Sequence, residues 1–88
     1  MDLEKIKEFQ REFAKERDWE QFHTPKNLSM ALSVEASELL EIFQWLTAEQ
    51  SSELKDSDKE KVSEELADIT YYLLRIADIT GIDLEDAV

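Results

Sequence analysis

A chain of 88 residues with one glycine, Gly81, and one proline, Pro25, has almost no means of turning tightly on itself. Two-residue hairpins depend on Gly, Asn-Gly or Asp-Gly steps, so a sheet-based fold is disfavoured before any pattern is sought. The apolar residues recur at helical spacing nearly throughout. An all-α fold is expected, as a single domain over residues 1–88.

Local signals divide the chain into helices. Asp2 can cap a first helix running to about Asp18 or Trp19, with Leu3, Ile6, Phe9, Phe13 and Ala14 on one face. Glu20 to His23 then forms a turn. Thr24-Pro25 reads as an N-cap followed by proline at the first helical position, opening a second helix that ends near Thr47. Ala48 to Asp56 is polar and reads as a loop. Ser57-x-x-Glu60 has capping-box form and marks the start of a third helix, which Gly81 stops in the left-handed conformation. Asp83 can cap a last helix beginning at Leu84. A chain ending one turn into a helix suggests that a C-terminal tail is missing.

Two acidic signatures interrupt the apolar stripes. Leu28, Leu32, Leu39, Ile42 and Leu46 form a helical seam in which Glu35 takes the place of a leucine, with Glu38 one turn on. In the third helix, Val62, Leu66, Ile69, Leu73 and Ile76 form a second seam. Glu65, Asp68, Tyr72 and Arg75 form a stripe about 100° from it. Residues three apart share a helix face, so each pair can present two carboxylates to one ion. A buried carboxylate without a partner either takes up a proton or binds a cation. With oxygen ligands only, the ion would be hard, Mg²⁺ or Mn²⁺. Spacing by itself leaves a second reading open, in which these acids are rim residues paired with Lys or Arg across an oligomer interface. A ferritin-like di-iron site is excluded, because it needs Glu-x-x-His pairs and the only histidine, His23, lies in none.

The formal charge of −12 argues against nucleic acid as a partner, since phosphate-backbone binders carry a basic footprint. A nucleotide is still admissible, because a divalent cation can bridge acidic protein and phosphate. No cysteine is present for disulfides or thiolate sites, and no signal peptide or membrane span of roughly 20 apolar residues is evident. A cytoplasmic protein is expected. A chain this short buries only about 60% of its unfolded surface, so oligomerisation is the expected remedy for a marginal core.

The motifs Phe22-His23-x-Pro25-x-Asn27-Leu28, Glu35-x-x-Glu38-Leu39-x-Glu41-x-Phe43-Gln44-Trp45 and Glu64-Glu65-Leu66-x-Asp68 extend this reading. With them the chain resembles the all-α MazG-like nucleoside triphosphate pyrophosphohydrolases, and among these the small branch that contains the dCTP pyrophosphatases. The resemblance covers about Phe9 to Val88. It implies Mg²⁺-dependent cleavage of a (deoxy)nucleoside triphosphate to monophosphate and pyrophosphate, in nucleotide-pool house-cleaning. It implies that Glu35, Glu38, Glu65 and Asp68 hold the metal. Glu38 and Glu41 are alternative proton acceptors for the attacking water. Trp19, His23, Trp45 and Tyr72 are implied to contact the base, with Trp45 about 20° from Glu38 around the helix and roughly 10 Å along its axis. It further implies antiparallel helical hairpins that complete four-helix bundles as a homodimer or homotetramer. Members of the family carry a basic segment beyond the position of Val88, for which Lys59, Lys61 and Arg75 are the nearest substitutes. The rival expectation from another class is a non-catalytic acidic helical module that dimerises through the leucine seams.

Overall fold

The computed structural model describes all residues from Met1 to Val88. It is all-helical: α1 (Leu3–Glu16), α2 (Pro25–Phe43), α3 (Ala48–Ser51), α4 (Asp56–Thr80) and α5 (Leu84–Ala87). The long helices α2 and α4 pack on one another as a hairpin, and α1 lies against α4. No helix is long and apolar enough to cross a membrane.

Each start has a local cause. Asp2 accepts from Lys5 N, Thr24 from Asn27 N at 3.1 Å with Pro25 in the first turn, and Asp83 from Glu85 N and Asp86 N. Helix α4 begins at Asp56 rather than after Ser57. Its N-cap, Lys55, contributes no side-chain bond, and Asp56 and Asp58 place negative charge at the positive end of the helix dipole.

The ends show why two boundaries differ from expectation. At the end of α4, Gly81 has φ 72°, Gly81 N donates to Asp78 O and Ile82 N to Ala77 O, which is a Schellman closure. Helix α1 ends with the same bonding on a residue with no glycine to announce it. Asp18 adopts φ 55°, with Asp18 N donating to Lys15 O and Trp19 N to Ala14 O. The helix therefore stops at Glu16, short of the expected Asp18 or Trp19. Helix α2 stops at Phe43 instead of near Thr47 because Thr47 caps α3. Its hydroxyl accepts from Gln50 N while the Gln50 amide oxygen accepts from Thr47 N, and this requires Thr47 to be extended. The expected loop from Ala48 thus contains a short helix.

Packing within the chain also departs from the apolar pattern. On α1, Phe9 is 64% exposed while Lys7 and Gln10 are buried. Gln10 can replace an apolar side chain because its amide nitrogen donates to Tyr71 O across the α1–α4 interface at 2.9 Å. On α4, Leu66 and Leu73 of the expected seam are half-exposed, whereas Leu74, Arg75 and Ala77 are buried. One long helix touched by two others cannot turn a single seam toward both, and the carboxylate stripe takes the side facing α2.

Candidate active site

Glu35 projects from the middle of α2 and Glu65 from the facing stretch of α4, both half-buried. Carboxylate oxygens of Glu35, Glu38 and Glu65 lie within 4.8 Å of one another. No cation neutralises them: the ion pairs of the chain involve Glu4, Glu16 and Asp78 only. Oε2 of Glu35 and Oε2 of Glu65 are shielded from solvent and accept no hydrogen bond. Two orphaned buried oxygens on facing helices would be costly unless a proton or an ion meets them.

The electrostatics carry the same strain. The Glu35 carboxyl is pushed above its usual pKa, first by the Glu65 carboxyl within hydrogen-bonding reach, then by burial, and further by the charges of Glu65 and Asp68. Glu38 is raised chiefly by Glu35, through hydrogen bonding and charge. An all-oxygen donor set of this kind fits a hard divalent cation. Asp68, one turn beyond Glu65, lies outside the three-residue cluster, although its charge reaches Glu35. Glu41 is exposed and lines an acidic cleft with Glu38, Asp58, Lys61, Glu64 and Glu65. Asp58 is a member of that cleft which no motif singles out, and Glu64 stands in a motif without a role assigned to it.

Beside the carboxylates is a cavity of about 270 Å³ lined by Phe13, Trp19, His23, Asp68, Tyr71 and Tyr72. The left-handed turn at Asp18 delivers Trp19 to it. The Trp19 ring meets Phe13 edge-on with centroids 5.3 Å apart and lies 5.9 Å from His23. Asn27 closes the loop behind His23 by donating from Nδ2 to Phe22 O at 3.0 Å. Tyr72 joins the two regions: burial raises its pKa first, and the charges of Glu35 and Asp68 raise it further. Phe13 and Tyr71 belong to this lining but carry no motif signal, since aromatic residues at helical spacing look like ordinary core.

The structure thus gathers three of the four base-contact candidates, Trp19, His23 and Tyr72, with Asp68. Trp45 is not among them. Helix α2 ends at Phe43, two residues before Trp45, and Trp45 is 87% exposed.

Arg75 has a different place from the one expected. It is only 5% exposed, donates from Nε to His23 Nδ1 at 3.1 Å and reaches Asp78 from Nη1 at 3.5 Å. Asp78 is also gripped by Arg11 of α1, whose Nε donates to Oδ2 at 2.8 Å. Arg75 is therefore committed to internal partners and is no substitute for a free phosphate-binding arginine.

A helical hairpin with carboxylates on facing helices and an aromatic cavity beside them defines an all-α protein able to hold a cation next to a planar ligand. The MazG-like family model matches residues 30–88, and the chain belongs to that family. It is 47% identical to dCTP pyrophosphatase 1 of Bos taurus and 46% identical to dCTP pyrophosphatase 1 of Homo sapiens, in each case over 98% of this chain and 52% of the relative. The chain spans about half the length of these curated relatives. The crystal structure of a pyrophosphatase from Archaeoglobus fulgidus superposes with a TM-score of 0.91 at 40% identity, over 99% of this chain and 82% of that one.

Proposed function

We propose that this protein is a nucleoside triphosphate pyrophosphohydrolase that cleaves a deoxynucleoside triphosphate, with a preference of the dCTP type, into monophosphate and pyrophosphate. The observation that carries this reading is the Glu35–Glu38–Glu65 cluster, with two buried unpartnered oxygens, set beside the aromatic cavity. The names of the relatives and of the solved neighbour support it. House-cleaning of the nucleotide pool, in the cytoplasm, is the corresponding role.

Glu35, Glu38, Glu65 and Asp68 are proposed to hold Mg²⁺, with Mn²⁺ as an alternative. When bound, the cation would offset the charge of the triphosphate and make water at the site more acidic. Glu38 or Glu41 would accept a proton from the attacking water, both lining the acidic cleft and Glu41 being exposed there. Trp19, His23 and Tyr72 would receive the base, the aromatic rings supplying the flat walls that stacking requires. Trp45 would complete that wall from a second copy of the chain, since its exposed ring stands apart from the cavity. A homodimer or homotetramer in which hairpins pair as four-helix bundles is part of the proposal, and nucleic acid is not a partner.

Incubation with a panel of deoxynucleoside and nucleoside triphosphates and Mg²⁺, followed by measurement of pyrophosphate, tests the activity. Release of pyrophosphate from dCTP or a related nucleotide is expected. If none of them is cleaved with either Mg²⁺ or Mn²⁺, the enzymatic reading fails and the dimerisation module takes its place.

A further inference from the structure

The contact between Arg75 and His23 has a consequence for base recognition. An arginine side chain is always protonated and has donors but no acceptor. Because Arg75 Nε–H points at His23 Nδ1 over 3.1 Å, Nδ1 must be the lone-pair nitrogen. The single proton of the neutral imidazole then sits on Nε2. That N–H has no hydrogen-bond partner within the chain, and its ring lines the cavity with Trp19 and Tyr72.

We propose that Arg75 is a positioning residue that locks His23 in its Nε2–H tautomer, so that the aromatic cavity offers a hydrogen-bond donor to an acceptor atom, carbonyl oxygen or unprotonated ring nitrogen, on the substrate base. This rests on the pyrophosphohydrolase reading and adds to it the polarity of one base contact.

Three features of the site serve this role. Arg75 is held in place rather than merely near: its side chain is buried and anchored to Asp78, which is itself fixed across the helix interface by Arg11. The imidazole is kept neutral, its pKa lowered first by burial and then by the Arg75 charge, so the ring enters the cavity as a single-proton donor. Trp19, itself met edge-on by Phe13, packs against the imidazole at a tilt, with centroids 5.9 Å apart. A donor held in this way favours bases that present an acceptor at the same edge. It leaves an analogue lacking that acceptor facing an unsatisfied N–H, which is the stronger form of discrimination.

The chain has one histidine, so its tautomer can be read without assignment ambiguity. Long-range ¹H–¹⁵N correlation spectra of ¹⁵N-labelled protein at mildly alkaline pH should show the Nε2–H pattern alone. In Arg75→Met, the pattern of two exchanging tautomers should replace it. In steady-state hydrolysis of dCTP with Mg²⁺, the same substitution should raise KM about tenfold, the equivalent of one hydrogen bond, with a smaller effect on kcat. His23→Phe, which keeps a flat ring but has no donor, should raise KM to a similar degree in a protein that retains Arg75. Cleavage of dCTP by a wild-type protein whose histidine shows Nδ1–H or mixed tautomers would overturn the positioning role and leave the activity standing. So would an unchanged KM in both variants. Absence of cleavage by a wild-type protein with the Nε2–H pattern would remove the base contact together with the enzymatic reading.

Discussion

At the level of single residues, Glu35 concentrates the tension between fold and function. It occupies a leucine position in the α2 seam, and the Glu65 carboxyl, then burial, raise its pKa above the ordinary 4.5. Between 4.5 and that raised value the folded state holds a proton the unfolded chain has already released. Stability contributed by this group is therefore present at low pH and lost as pH rises through the folded pKa. In the absence of divalent ion, Glu35→Gln should raise the melting temperature near neutral pH and flatten this decline. Mg²⁺ should raise the melting temperature of the wild type and leave the variant unmoved. Calorimetry with and without Mg²⁺ separates the two, and a variant that still responds to Mg²⁺ would exclude Glu35 from the site. Asp78 shows the opposite sign. Its hydrogen bonds from Arg11 hold its carboxyl below the usual 3.8 against the upward push of burial, so its contribution is present above that pH and lost in acid. Asp78→Ala should cost roughly 1.5–3 kcal/mol in urea unfolding, the range for hydrogen bonds to charged groups, because Arg75 is left buried beside a neutral methyl. Glu35 was legible as an anomaly in the seam. The Arg11–Asp78–Arg75–His23 chain was not, since its members are as many as 67 positions apart and only packing brings them together.

At the level of elements, helix starts were easier to read than helix ends. Thr24-Pro25, Asp2 and Asp83 act through side chains within three residues, so their pattern is visible in the sequence. Helix ends depend on one backbone conformation, and Asp18 adopts it without the glycine that would reveal it. The two Schellman closures should respond differently to substitution. Gly81→Ala should cost about 1 kcal/mol, the price of a Cβ at positive φ, since the space around the added atom is open. Asp18→Gly should change stability by less than about 0.5 kcal/mol, because relief of the same strain is offset by a more flexible unfolded chain and by loss of the Gln21 Nε2 bond to Asp18 Oδ2. Equilibrium unfolding of both variants measures the contrast. A large loss in Asp18→Gly would mean that the aspartate side chain, rather than the turn, holds Trp19 in place.

At the level of the whole molecule, one chain is more open than a compact monomer of its size. A folded monomer of 10.3 kDa should expose about 5,400 Å² by the size scaling of globular proteins, whereas this chain exposes 6676 Å². Its radius of gyration is 15.2 Å against about 12 Å for a compact chain of this length. Only four apolar residues, Ala14, Leu28, Leu74 and Ala77, are fully buried. The excess surface is larger than the roughly 800 Å² each partner buries in a standard interface. It includes Leu66 at 50% and Leu73 at 41% exposure, two turns apart on one side of α4. An apolar groove lined by Ile6, Leu66, Ala67 and Leu74 extends this surface toward α1. Leu66 and Leu73 are members of the seam that the pattern assigned to a core, and a second copy is the occupant that would make that assignment right at the level of the assembly. The protein should sediment as a dimer or tetramer, and its melting temperature should fall on dilution as mass action requires. Leu66→Asp combined with Leu73→Asp should shift it toward the monomer and lower the melting temperature by many degrees. Burying two aspartates at a dry interface is unfavourable, while on a monomer the same substitutions remove exposed apolar surface and leave stability almost unchanged. A protein that stays monomeric at millimolar concentration, with a melting temperature independent of dilution and of both substitutions, would show that the hairpin stands alone.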